Sequence, residues 1–246
     1  MDKLLYLSMT AATNTMLSQA TISSNLSNSE MPGFKSDLEQ FRSMPVFGDG
    51  HPSRVYAMSE RPGIDFRDGS IYKTGNPLDF AINGDGWIAV QAPDGSEAYS
   101  RRGDLRLNNA GLLENGNGLL VYGNGGPIAM PPSEEAVIGS DGTISIRPAG
   151  QDEKTLAVVD RIKLVNPPVS DLVKSADGLF RLRDGSQANI DASVRVAPES
   201  LETSNVNMVG AMARMIEHSR RFEMDIKAMT AAKENDEVGT RILALN

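Results

Sequence analysis

Residues 80–95 read Phe80-Ala-Ile-Asn-Gly-Asp-Gly-Trp-Ile-Ala-Val-Gln-Ala-Pro-Asp-Gly95, and the fold turns on the element that begins after Gly86. Gly84-x-Gly86-x-x-Ala89 matches a dinucleotide-type fingerprint. That motif needs a helix opening at the second glycine, so that backbone N–H groups face a pyrophosphate. Trp87 to Gln91 instead alternates as a strand and then meets Pro93-Asp94-Gly95, a turn. The stretch predicts a hairpin and no cofactor.

The same period of two recurs outward from it. Phe80/Ile82, Ile88/Val90, Leu105/Leu107, Ile128/Met130, Ile144/Ile146, Ile162/Leu164, Phe180/Leu182 and Val194/Val196 each place two apolar side chains on one strand face. Asp-Gly occurs seven times, at 49, 68, 85, 94, 141, 177 and 184. Gly takes positive φ readily and Asp tolerates it, so these are turn signals. Many short strands with such turns predict an antiparallel sandwich or barrel-like domain.

Residues 41–200 hold 20 of the 23 Gly and 12 of the 13 Pro. Both residues are costly inside helices, so the ends are free to be helical and the middle is not. Leu5, Met9, Ala12, Met16 and Ala20 make a helical stripe near the N-terminus. Met208, Met212, Met215, Ser219, Phe222, Ile226 and Met229 alternate steps of four and three, a heptad seam, with Ser204 and Asn205 as its N-caps. The expected fold is mixed α and β: a mainly antiparallel β domain flanked by helices that form a coiled-coil domain. Its boundaries are 1–34 for the N-terminal helix, 35–73 for an extended linker, 74–200 for the β domain and 201–246 for the C-terminal helix.

An amphipathic helix ordinarily serves its own core and shows charge outward. Residues 4–29 contain no charged residue, and 14 of these 26 are Ser, Thr, Asn or Gln. That is too polar for a bilayer core. Neutral, small polar residues let other helices approach without burying a charge. The inference is a helix surrounded by protein on most sides, neighbouring subunits supplying what one chain cannot. Leu4–Leu7 is too short for a secretory h-region, and no cleavage-type pattern comes after it. The chain therefore either stays in the cytoplasm or leaves by a route that reads no cleavable signal.

Composition and motifs exclude most chemistry. There is no Cys, so disulfides, thiolate metal sites and cysteine nucleophiles are out. The net charge of −8 and 5% aromatics argue against nucleic acid. Gly116-Asn117-Gly118 and Gly123-Asn124-Gly125-Gly126 lack the P-loop Lys and read as turns. No Gly-x-Ser-x-Gly elbow or EF-hand loop is present. The scattered acids read as solvated loop carboxylates, His51 as a loop residue and His218 as a polar-face residue of the C-terminal helix. Arg220-Arg221 reads as an ion-paired face with Glu217, Glu223 and Asp225. No enzyme, metal site or cofactor is expected.

Ile22-Ser-Ser-Asn-Leu-Ser-Asn-Ser-Glu-Met-Pro-Gly-Phe-Lys35 resembles the signature of bacterial flagellar rod and hook proteins: Asn25, Leu26, Asn28, Pro32, Gly33, Phe34 and Lys35 match, and Ser27 replaces the usual Ala. Thr74 to Trp87 resembles the start of that family's β domain, and Tyr99 to Gly103 continues it. Leu201-Glu-Thr-Ser-Asn-Val-Asn207, followed by Arg221-Phe-Glu223, resembles its C-terminal helix. About forty residues separate Phe34 from Thr74, which is most like the proximal-rod branch; the distal rod has a longer insertion there. The resemblance implies a structural subunit of the periplasmic rod in the flagellar basal body, exported by the flagellar type III apparatus. Its partners would be proximal and distal rod subunits, with no nucleic acid and no membrane insertion. A distal-rod subunit, or a secreted β-domain binding module with helical oligomerisation arms, is the alternative. The residues expected at subunit interfaces are Leu5, Met9, Ala12, Met16, Asn25, Leu26, Asn28, Met208, Met212, Met215, Phe222, Ile226 and Met229.

Overall fold

The computed structural model describes residues 3–45, 55–59, 63–148 and 157–243. It has two compact units. The helical unit takes in residues 1–29, 36–65 and 206–246, and the β unit takes in 30–35 and 66–205.

The helical unit is built on α1 (Lys3–Ser27) and α2 (Met208–Leu243), which pack on each other. Two antiparallel strand pairs join them: Asp37–Leu38 with Gly63–Ile64, and Phe41–Pro45 with Val55–Ser59. The Asn25 side-chain amide donates to the Asp37 carbonyl (2.8 Å) and its oxygen accepts from the Asp37 N–H (2.9 Å), so one side chain acts as a strand partner. The N-cap of α2 is Asn207, whose Oδ1 accepts from the Gly210 N–H at 2.9 Å. This corrects the expected caps. Asn205 instead donates its side-chain N–H to the Arg67 carbonyl and its backbone N–H to that of Phe34.

In the β unit every strand pairing is antiparallel. Its main sheet runs Leu164–Val165, Trp87–Gln91, Glu97–Ser100, Phe180–Leu182, Leu172–Lys174. A three-stranded sheet has the order Ser133–Ile138, Thr143–Pro148, Ala157–Arg161, and Phe80–Asn83 pairs with Arg195–Pro198. One core joins Phe80, Ile82, Ile88, Val90, Ile128, Met130, Ile144, Ile146, Ile162, Leu164, Val194 and Val196, so six of the eight expected pairs bury both members. Leu182 is half-buried and Leu107 is exposed, each ending a three-residue strand at a turn. Leu107 leads into Asn108, whose Oδ1 accepts from the Ala110 and Leu112 N–H groups.

Four of the seven Asp-Gly turns share one device. The Oδ1 of Asp94, Asp141, Asp177 and Asp184 accepts the N–H of the residue two on. At Asp94 and Asp141 the following hydroxyl and then the N–H hold the carboxyl below its usual value. Asp49-Gly50 lies outside the described residues, and Asp68 has another use.

Candidate assembly surface and a buried motif junction

The helix α1 meets α2 through small side chains of its own. On α1 the buried row is Ser8, Ala12, Thr15 and Ser18. On α2 the less exposed row is Ala211, Met215, His218, Phe222, Asp225, Met229 and Ala232. The Thr15 hydroxyl proton is shared between the Ala11 carbonyl at 2.9 Å and, across the pair, Asp225 Oδ2 at 3.3 Å. The steps of four and three on α2 are as expected, but the row has Ala211, His218 and Asp225 where the seam read from sequence has Met212, Ser219 and Ile226, one position later. The two share Met215, Phe222 and Met229.

The large apolar side chains point elsewhere. Leu5, Met9 and Met16 of α1, with Tyr6 and Leu17, are exposed, as are Met208, Met212, Ile216 and Ile226 of α2. At about 100° per residue, the Leu5–Met9–Met16 stripe stands roughly a third of a turn from the Ser8–Thr15–Ser18 row. Ala12 is buried between the two. Asn25 and Asn28 use their side-chain amides within the chain, Asn28 on the Ser24 carbonyl, and Leu26 is half-buried.

Four hydroxyls of α1 are already satisfied. Thr10, Thr13, Thr15 and Ser27 each donate a hydroxyl to the carbonyl four residues back. A neighbour could therefore cover α1 without stranding these hydroxyls, whereas a covered charge would need its own partner.

His218 corrects a second expectation. It lies on the half-buried row of α2, with Nδ1 buried and without a hydrogen-bond partner among the described residues. Nothing in its spacing separates it from a polar-face residue unless the true phase of the helix is known. His51 lies outside the described residues. Arg221 and Glu217 approach to 4.0 Å on the exposed face.

The parts of the resembling stretches that lie in the β unit, residues 30–35, 74–87, 99–103 and 201–205, supply three charges of a four-charge cluster that Asp68 completes. Lys35, fully buried, places Nζ 2.7 Å from Asp68 Oδ1 and 3.0 Å from Glu202 Oε1, and donates to the Arg67 carbonyl at 3.0 Å. Arg101 donates from Nε to Glu202 Oε2 (2.8 Å) and from a terminal nitrogen to the Gly84 carbonyl (3.0 Å). The same Arg101 lies 3.3 Å from Asp68, and its guanidinium carbon is 5.9 Å from the centre of the Trp87 ring. The Gly69 N–H donates to Glu202 Oε1 at 2.9 Å. Two cations meet two anions, so the burial leaves no net charge. The Gly84 and Gly86 carbonyls, candidate parts of a nucleotide loop, accept from Arg101 instead. Gly33 is required where it stands: it has φ +68°, its N–H donates to the Glu202 carbonyl, and a Cβ would collide with the Arg101 carbonyl.

Glu202 and Asp79 contradict the reading of every acid as solvated. Both are buried, and Asp79 accepts from the Thr74 hydroxyl and the Asn76 amide. A lone acid in the Leu201–Asn207 run was a signal only if paired in thought with Lys35, 167 residues away.

No nucleophile and base are assembled among the described residues. A hollow of about 770 Å³ in the β unit is lined partly by Asp171, Asp184, Ser186 and Asp191. There the Ser186 N–H, then its hydroxyl, hold the Asp184 carboxyl below the usual value, which makes it a poor base. No group of three or more His, Asp or Glu among the described residues could hold a metal, and no described helix is long and apolar enough to cross a membrane.

The chain is 40% identical over its full length to the flagellar basal-body rod protein FlgF of Salmonella typhimurium, covering all of that protein. It belongs to the flagellar basal-body rod protein family. FlgF of Escherichia coli is similar to the same degree over both whole chains. The rod protein FlgG of Bacillus subtilis is 29% identical over 87% of this chain and 88% of its own length. Residues 81–146 match the family model described as the flagellar hook protein FlgE/F/G D1 domain, and residues 197–242 match the flagellar basal body rod FlgEFG protein C-terminal model. The four-charge junction draws from both matched regions, Gly84 and Arg101 from one and Glu202 from the other.

Proposed function

We propose that this chain is a structural subunit of the flagellar rod, of the proximal kind, in which α1 and α2 form a coiled coil that neighbouring rod subunits enclose. One observation carries the reading: α1 meets α2 through small side chains and leaves Leu5, Met9 and Met16 uncovered on a helix without charge from residue 4 to 29. Met208, Met212 and Ile226 are the matching uncovered row on α2. A helix with four hydroxyls bonded to its own backbone and an unpartnered apolar stripe suits burial between copies and sister subunits. A head-to-tail contact that does not close generates a helical filament, the geometry a torque-bearing shaft needs.

Export by the flagellar type III apparatus, without a cleavable signal, belongs to this reading, as does residence in the periplasmic part of the basal body. The higher identity to the FlgF proteins than to FlgG favours the proximal over the distal rod. The test is a photo-crosslinking side chain at Met16, and in a parallel strain at Ser18, in flagellated cells. Adducts with rod subunits from position 16 and none from buried position 18 are expected. Equal labelling, or adducts only to unrelated envelope proteins, would refute it.

A further inference from the structure

The chain has 12 Met and no Cys, so peroxide acting on sulfur in this protein acts on thioethers. Their exposure is uneven. Met9 and Met16 on α1 and Met208 and Met212 on α2 are all exposed, from 36 to 57%, and all four lie on the uncovered apolar rows. Met130 is 5% exposed in the β core. Met224 is 60% exposed but lies off those rows, among Glu217, Arg220, Arg221 and Lys227 on the charged side of α2.

We propose that Met9, Met16, Met208 and Met212 are peroxide-sensitive sites in the unassembled subunit, and that their oxidation to sulfoxide blocks helical assembly while the β unit stays intact. The inference rests on the assembly proposed for α1 and α2 and adds a chemical control to the same surface. In the step, hydrogen peroxide transfers one oxygen atom to the thioether sulfur. The sulfur loses two electrons, the O–O bond breaks and water leaves. A flexible apolar side chain becomes a polar one with a strong acceptor oxygen. On a row destined for burial against other helices that oxygen needs a donor, and on α1 the Thr10 and Thr13 hydroxyls already donate to their own backbone. Assembly would in turn cover the four sulfurs, so sensitivity belongs to the free chain.

The test uses the full-length chain and a variant with Met9, Met16, Met208 and Met212 all changed to Leu, which keeps Met224. Each is treated with hydrogen peroxide. Sulfoxide is mapped by peptide mass, self-association is measured by sedimentation velocity, and Trp87 fluorescence monitors the β unit. The five exposed sulfurs should oxidise at least about ten times faster than Met130, in line with their access to solvent. Oxidised wild type should lose most of its association with unchanged Trp87 emission. The Leu variant should associate as before even with Met224 fully oxidised. Oxidation of Met130 at a comparable rate, undiminished association of chains oxidised at all four positions, or equal peroxide sensitivity of the Leu variant would overturn the proposal. Failure of the untreated wild type to associate would instead overturn the assembly reading on which it rests.

Discussion

Replacing Lys35 by Met tests whether the buried junction holds the β unit together. The side chain is fully buried and touches two carboxylates and a carbonyl within 3.0 Å. Met keeps most of the volume and removes the charge. Breaking a buried pair by deleting one partner costs about 3–5 kcal/mol. The lower end applies here, because Glu202 keeps Arg101 at 2.8 Å and the Gly69 N–H at 2.9 Å, and Asp68 is 44% exposed and can turn to water. We expect a loss of about 3 kcal/mol. With a urea m-value of about 2 kcal/mol/M, the midpoint falls by about 1.5 M. Trp87 is the single tryptophan, and its ring centre lies 4.5 Å from that of Phe180, so its fluorescence reports this unit. Asp68→Ala should cost less, about 1–2 kcal/mol, because water reaches the 44% exposed carboxylate, although its loss leaves two buried cations facing the single anion of Glu202. A Lys35→Met shift under about 0.5 M would refute the account of a desolvated junction.

Burial raises the Tyr99 hydroxyl to about 12, against the lesser opposing effect of the Ala188 N–H bonded to it at 2.7 Å. The raised value makes a contribution that is complete below the unfolded value near 10 and is lost as pH rises toward 12. The urea midpoint of wild type should therefore fall more steeply between those limits than that of Tyr99→Phe. Ser18 is 1% exposed against α2, so Ser18→Leu overpacks the helix pair and should cost about 1–3 kcal/mol, read as lost helical circular dichroism on heating. Thr13→Lys, on the exposed side of α1, should leave monomer stability within about 0.5 kcal/mol yet abolish swimming; motile cells would show that this side meets solvent. Limited proteolysis should trim the helices back to about Glu30 and Asn205, judged by the terminal masses of the protected fragment, because residues 30–35 and 200–205 are bonded into the β unit.

The strands were legible in sequence because a buried strand has a period of two and its partners lie on a common core; Phe80/Ile82 and Ile144/Ile146 needed no knowledge of any other element. The helices were legible as helices, but their inward faces were not. The spacing of Leu5, Met9 and Met16 marks an apolar stripe but does not say which side of the helix the chain itself covers. Ser8, Thr15 and Ser18 are the residues buried within the chain, and period alone does not tell a face kept for a neighbour from one kept for the chain. Lys35, Arg101 and Glu202 were illegible for a different reason. A charge is buried only where a counter-charge meets it, and these residues are brought together by contacts spanning 101 and 167 positions. Their neighbourhoods carried the resemblance, so the motifs marked the place without revealing its chemistry.

The Gly33 N–H reaches the Glu202 carbonyl, and the Asn205 N–H reaches the Phe34 carbonyl, so the peptide runs leading into and out of the β unit lie side by side. Topologically, the 66–199 region is a loop whose two feet stand about one strand spacing apart. The entropy of closing such a loop grows only with the logarithm of its length, and here the feet are fixed by local bonds. Residues can be added to or removed from the far side of this loop without changing the separation of the feet. The β unit can therefore change in size while the two peptide runs at its base keep their register with each other.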